Sequence, residues 1–317
     1  MTTSPTSVDI REVGMRDGLQ LEAPLPLETK LEILDAIAAT GVHRVEVTSF
    51  VSPAAVPALA DAEQVVAELQ RWPDLHFSAL VAGRGGARRA VAAGMPHLEY
   101  VISASDGHSL ANARSTTDEA VGGVADVAAL AHDAGGRLEA IIAVAWDCPF
   151  DGRTPLRRTV DIARRAVELG ADQLCFGDTI GTTVPGRVTD LVAAVRDAVP
   201  EVPIGVHLHN TRGSGLACVL AAVQAGVVQI DASVGGLGGC PFAPGASGNI
   251  ATEEVVYLLE ESGIDTGLDL NRVLDAAALV ERAVGHELPS NLYRAGGPNQ
   301  PRGRRDASAP NGSTTRS

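Results

Sequence analysis

Two imidazoles two positions apart, His207 and His209, and an adjacent cation and carboxylate, Arg16-Asp17, are the residues of this chain best spaced to do chemistry. Side chains two apart on a strand project from the same face, so His207-Leu208-His209 can reach one ion together. Alone the pair is ambiguous, because two satisfied polar side chains at a strand end look the same. If Asp17 lies on a neighbouring strand, the set becomes two imidazoles and a carboxylate, a divalent-cation site with open positions. Asn249 offers a fourth, amide-oxygen ligand. This mixture suits Mg²⁺ or Mn²⁺ and is compatible with Co²⁺ or Zn²⁺.

Arg16 beside a metal carboxylate reads either as a structural ion pair or as a fixed cation aimed at a developing oxyanion, and the ligands around it favour the second. Asp178, in Gly177-Asp178-Thr179, reads as a turn residue or as an acid-base group, and its position at a strand end favours the latter. The run Gly235-Gly236-Leu237-Gly238-Gly239-Cys240-Pro241 carries one thiol on a glycine-rich loop. It is read as a mobile segment that closes over a substrate. Cys148, Cys175 and Cys218 read as packed small hydrophobes.

The elements that must position these groups alternate. Short β-branched runs at 8–13, 44–49, 76–81, 98–103, 138–145, 172–176, 204–208 and 228–233 are interleaved with helical periods near 27–40, 59–71, 84–94, 117–134, 155–170, 185–198, 212–226 and 251–262. Eight βα units predict an α/β fold, a closed (β/α)₈ TIM barrel over 8–288, in which the first, seventh and eighth strands are neighbours. No phosphate-binding glycine fingerprint follows Val13, which argues against a doubly wound sheet. Glycines 41, 94, 170, 226 and 263 follow the last apolar turn of their helices, as left-handed C-caps do. A further helix is expected near 269–285, with disorder over 1–7 and 298–317. The polar clusters all fall after strand C-termini, where barrels of this class keep their active sites.

Composition removes several functions. The net charge is −14 and the basic residues are scattered, which excludes a nucleic-acid footprint or a polybasic membrane patch. No apolar run reaches the roughly 20 residues of a membrane span, and no signal-peptide pattern opens the chain, so a cytoplasmic protein is expected. Lys30 is the only lysine and falls in the first helix, which argues against Schiff-base cleavage of a carbon–carbon bond.

Three stretches resemble the 3-hydroxy-3-methylglutaryl-CoA lyase family, within a wider group of metal-dependent barrels that includes isopropylmalate synthase. They are Glu12-Val-Gly-Met-Arg-Asp-Gly-Leu-Gln20, Glu46-Val-Thr-Ser-Phe-Val-Ser-Pro53 and Gly236-Leu-Gly-Gly-Cys-Pro-Phe-Ala-Pro-Gly-Ala-Ser-Gly-Asn-Ile-Ala-Thr-Glu253. The resemblance implies that Asp17, His207, His209 and Asn249 hold the cation and that Arg16 stabilises an enolate oxygen. It further implies that Glu46 supports the metal and its water, that Asp178 assists proton transfer and that Cys240 acts on a closing loop. Ser105 and Asn112 match family positions in the loop after the fourth strand. The implied reaction is retro-Claisen cleavage of an acyl-CoA, the expected partner, to acetyl-CoA and a keto acid such as acetoacetate, by a homodimer. A condensing synthase, a lyase for a larger-branched substrate and a non-catalytic barrel are the alternatives.

The chain departs from the family where His207-Leu-His-Asn-Thr-Arg-Gly213 replaces His-x-His-Asp-Thr-Tyr-Gly. Asn210 makes the site less negative there, and Arg212 adds a cation able to pair with a carboxylate or a CoA phosphate. Met15 replaces a proline, Cys175 stands where serine is common, and Asp106 and His108 also differ.

Overall fold

A computed structural model describes residues 5–239, 248–297 and 300–301. Eight parallel strands, β1 (Asp9–Glu12), β2 (Arg44–Phe50), β3 (His76–Val81), β4 (Leu98–Ser103), β5 (Leu138–Ala143), β6 (Gln173–Gly177), β7 (Ile204–His207) and β8 (Gln229–Ala232), close into a barrel in sequence order, β8 pairing with β1. Strands buried on both faces are near-continuously apolar, as β5 (LEAIIA) illustrates. The surrounding helices are α1 (Leu27–Ala38), α2 (Ala62–Glu68), α3 (Arg84–Ala92), α4 (Asp106–Ala113), α5 (Thr117–Gly122), α6 (Val124–Asp133), α7 (Leu156–Glu168), α8 (Pro185–Ala198), α9 (Gly215–Gln224) and α10 (Thr252–Glu261). Helix α7 shows why they pack: Thr159, Ile162, Ala163 and Ala166 form one buried stripe in an otherwise arginine-rich segment. No helix among the described residues is long and apolar enough to cross a membrane.

The expected barrel forms, with local differences. The helix predicted over 117–134 is two, α5 and α6, meeting at Gly122-Gly123, where helix propensity is lowest. Helix α4 was not anticipated from periodicity. It starts because the Ser105 hydroxyl accepts the His108 amide and stops at Arg114 with φ 58°. Helix α2 is shorter than 59–71 because 3₁₀ turns occupy both of its ends. Strand β5 ends two residues early. Val144 adopts φ 50°, a costly conformation for a β-branched residue, held by its amide bonding to Thr179 Oγ1 and its carbonyl to Thr154 Oγ1.

The predicted C-cap glycines 41, 94, 170, 226 and 263 all have positive φ. Helix α11 (Leu270–Val284) is the expected extra helix, capped by Asp269, and it packs against α1. A short α12 (Asn291–Ala295) follows. Disorder over 1–7 does not extend to Thr6 and Ser7: the Asp265 amide donates to the Thr6 carbonyl, and Ser7 bridges to Asp265. In the 298–317 tail, Gln300–Pro301 pairs with Gly296–Gly297, and residues 298–299 and 302–317 lie outside the described residues.

Barrel interiors are usually filled with branched apolar side chains. One layer here is charged. Arg11 of β1 is fully buried and bonds Glu99 of β4, Glu139 of β5 and Asp231 of β8, with 2.8 Å contacts to each. Removing one member of such a set leaves uncompensated buried charge. Arg11→Met is therefore expected to lower the unfolding free energy by about 3–5 kcal/mol, read from the shift in a urea unfolding midpoint. A variant within 1 kcal/mol of the parent, on the order of a surface substitution, would show that the layer is not a structural support.

Candidate active site

After β1 the backbone makes one wide helical turn, Gly14–Gly18, with the amides of Arg16, Asp17 and Gly18 converging on the Val13 carbonyl. Such π-turns recur at functional sites. This one buries Arg16 and Asp17 at the mouth of the barrel. From β7 and the residues just after it come His207 and His209, whose Nε2 atoms lie 3.1 Å apart, with His207 Nε2 3.8 Å from Asp17 Oδ2. One ligand atom from each of Asp17, His207 and His209 lies within 4.8 Å of the others.

The donor chemistry fits a divalent cation. Burial works against ionised Asp17, but Arg16, His207 and His209 overcome it and hold its carboxyl below the usual range. Burial, with His207 beside it, holds His209 down at about 4, so its imidazole is neutral at pH 7 and has a lone pair to give.

Arg16 is ion-paired to Asp17 through Nη1 and to Glu46 through Nε, 2.5 Å in each case. Its Nη2 is the nitrogen left without a partner among the described residues. Burial pushes the Glu46 carboxyl well up, and Glu99 adds to this while Arg16 opposes it.

Asn249 reaches the cluster, but through Nδ2, which donates to Asp17 Oδ2 at 2.8 Å and to the Leu237 carbonyl at 3.0 Å. In this arrangement it steadies Asp17. Its oxygen would have to turn inward to serve as a ligand. Asp178 is buried at the end of β6, each of its oxygens accepting a backbone amide, from Thr182 and from Thr183; burial raises its carboxyl and those amides oppose the rise.

The remaining predicted residues join the cluster through no direct contact among the described residues. Ser105 caps α4, Asn112 is exposed on α4, and the Arg212 guanidinium donates to the Ile180 and Gly181 carbonyls. Cys240 lies outside the described residues. Cys148, Cys175 and Cys218 are buried free thiols.

The glycine run begins differently from the mobile segment expected. Val234 to Leu237 is buried in a tight turn, with Gly235 and Gly236 at φ 72° and 69°. The glycines serve close packing here: a Cβ on Gly235 would meet Leu288 at 2.3 Å. Two carboxylates that sequence reasoning passed over pin the turn. Glu12 accepts from the Gly14 and Val234 amides and from Thr252 Oγ1, and Glu253 accepts from the Gly235 amide. Glu12 and Glu253 both fall inside the quoted motifs, which was the available signal.

Burial pushes Glu12 and Glu253 each up to about 7, against the hydrogen bonds that favour their charged forms. A carboxyl raised in the folded state binds its proton more tightly there than in the unfolded chain. Its contribution is complete below about 4.5 and is lost as pH rises towards 7. Glu253→Gln removes one such loss, so the variant should gain on the parent between pH 4.5 and 7, by a total on the order of 3 kcal/mol. Denaturant unfolding of both proteins across this range checks it; parallel pH profiles would contradict the assignment.

A closed parallel barrel whose carboxylate, imidazole and guanidinium groups meet at the carboxyl ends of its strands has the architecture of a barrel enzyme. The chain belongs to the HMGL-like family, whose sequence pattern matches residues 7–280. It is 36% identical to the mitochondrial hydroxymethylglutaryl-CoA lyase of Mus musculus, across 93% of this chain and 91% of the relative. It is 39% identical to the (R)-citramalyl-CoA lyase of Chloroflexus aurantiacus, across 92% and 95%. A solved HMG-CoA lyase from Acinetobacter baumannii, in complex with coenzyme A and 3-methylmalate, superposes with a TM-score of 0.87 at 38% identity, covering 93% of this chain and 97% of that one. These relatives are lyases and support cleavage, not the condensing-synthase alternative.

Proposed function

We propose that the protein cleaves 3-hydroxy-3-methylglutaryl-CoA to acetyl-CoA and acetoacetate. The observation that carries the reading is the spare Nη2 of Arg16 beside the convergent Asp17, His207 and His209 atoms: a fixed cation next to a site for a divalent ion. Asp17, His207 and His209 would hold Mg²⁺ or Mn²⁺, with Asn249 following if its amide turns. A bound divalent ion lowers the pKa of a coordinated hydroxyl and polarises carbonyl oxygen.

The protein's own groups do the rest. The Asp178 carboxylate takes the proton of the tertiary hydroxyl. The electron pair of that oxygen then forms the ketone as the carbon–carbon bond breaks. The released pair becomes the thioester enolate, whose oxygen Arg16 Nη2 stabilises. Protonation of the enolate carbon, to which Cys240 is assigned, completes acetyl-CoA. Glu46 keeps Arg16 aligned, and Arg212, Ser105 and Asn112 are assigned to substrate binding.

A second reading has a specific support, the 39% identity to a citramalyl-CoA lyase. That substrate is one methylene shorter and would release pyruvate. Incubating Mn²⁺-loaded protein with each thioester separates the two: acetyl-CoA with acetoacetate supports the first, acetyl-CoA with pyruvate only from citramalyl-CoA replaces it, and release from neither refutes both. EDTA should abolish turnover and Mn²⁺ restore it.

Arg16→Gln is expected to lower kcat by about 10²–10³, as loss of one oxyanion donor does. Cys240→Ser should sharply lower turnover at unchanged metal content. Loss of metal from that variant would move Cys240 from acid to structural support.

A further inference from the structure

We infer that Asp231, clamped by Arg11, is a positioning residue that fixes His207 in the tautomer carrying its proton on Nδ1, so that the Nε2 lone pair faces the metal cluster. The inference rests on reading Asp17, His207 and His209 as metal ligands. Arg11, Asp231 and His207 are register partners on three adjacent strands, β1, β8 and β7, and so share one layer of the barrel interior.

Asp231 Oδ2 lies 3.2 Å from His207 Nδ1. The carboxylate cannot swing away, because Arg11 Nε binds its Oδ1 and Arg11 Nη2 its Oδ2, both at 2.8 Å. Arg11 is in turn anchored by Glu99 and by both oxygens of Glu139. With a guanidinium N–H donated to each of its oxygens, Asp231 presents a carboxylate oxygen, an acceptor, to His207 Nδ1.

The other tautomer is disfavoured by geometry. A proton on Nε2 would leave the Nδ1 lone pair facing a carboxylate oxygen at 3.2 Å. Nε2 instead points to His209 Nε2 and Asp17 Oδ2, where an ion would sit. Groups that orient a ligating imidazole in this way typically change metal affinity by 10–100-fold when removed.

The test begins on the unaltered, metal-free protein with ¹⁵N-labelled histidine. Long-range ¹H–¹⁵N correlation should show His207 protonated on Nδ1 and bare on Nε2; the reverse overturns the proposal, whatever any variant does. Asp231→Asn keeps the shape, but Arg11 claims its oxygen and its NH₂ faces His207. The variant should switch His207 to the Nε2-protonated form, as the same exchange does in a catalytic triad. Mn²⁺ affinity by calorimetry should fall about 10–100-fold. Mn²⁺ binding indifferent to D231N overturns the role of Asp231, whereas parent protein that binds no Mn²⁺ overturns the metal reading itself.

Discussion

A guanidinium buried at the centre of a barrel has to be neutralised where it lies, and Arg11 is neutralised by carboxylates from three other strands. Desolvation of this many charges is costly, and only close, multiply bonded geometry offsets it. Arg11 sits on β1, Glu99 on β4, Glu139 on β5 and Asp231 on β8, so the layer ties opposite walls of the barrel together. From Asp231 it passes directly to His207. The same contacts that close the fold thus define where one imidazole of the site points.

Electrostatics in and above that layer divide the buried carboxyl groups. Asp17 and Asp231 are held ionised by arginines, whereas Glu12, Glu46 and Glu253, also buried, are pushed towards their neutral forms. The first pair faces imidazoles. Glu12 and Glu253 face backbone amides and hydroxyls, and Glu46, although paired with Arg16, is raised by its burial and by Glu99. Carboxyl groups of one type are divided between ligand-like and structural work by their surroundings.

Much of this was legible in the sequence. Eight βα units, the glycine caps and the convergence of Asp17 with His207 and His209 could be read because period and spacing are local properties. Arg11, Glu99, Glu139 and Asp231 were not singled out, since each looks like an ordinary charge in its own strand and acquires meaning only from register across the closed barrel. At the start of the glycine run, glycine permits mobility and close packing equally, and Leu288 and Glu253 against Gly235 decide for packing there. Val144 ended β5 early through tertiary bonds to Thr179 and Thr154, which no propensity anticipates.

The hydrogen bond from Asn249 to Asp17 spans 232 positions of the chain. Contacts this distant form only after most of the intervening chain has been ordered, and folds dominated by them assemble slowly. Arg16 and Asp17 are made early in synthesis, with Glu46 close behind, but Asp17 meets His207, His209 and Asn249 only when nearly all of the barrel has followed. Convergence of the three groups therefore reports on completion of the ring: a nascent or truncated chain lacking β7 and β8 carries Asp17 with neither imidazole beside it.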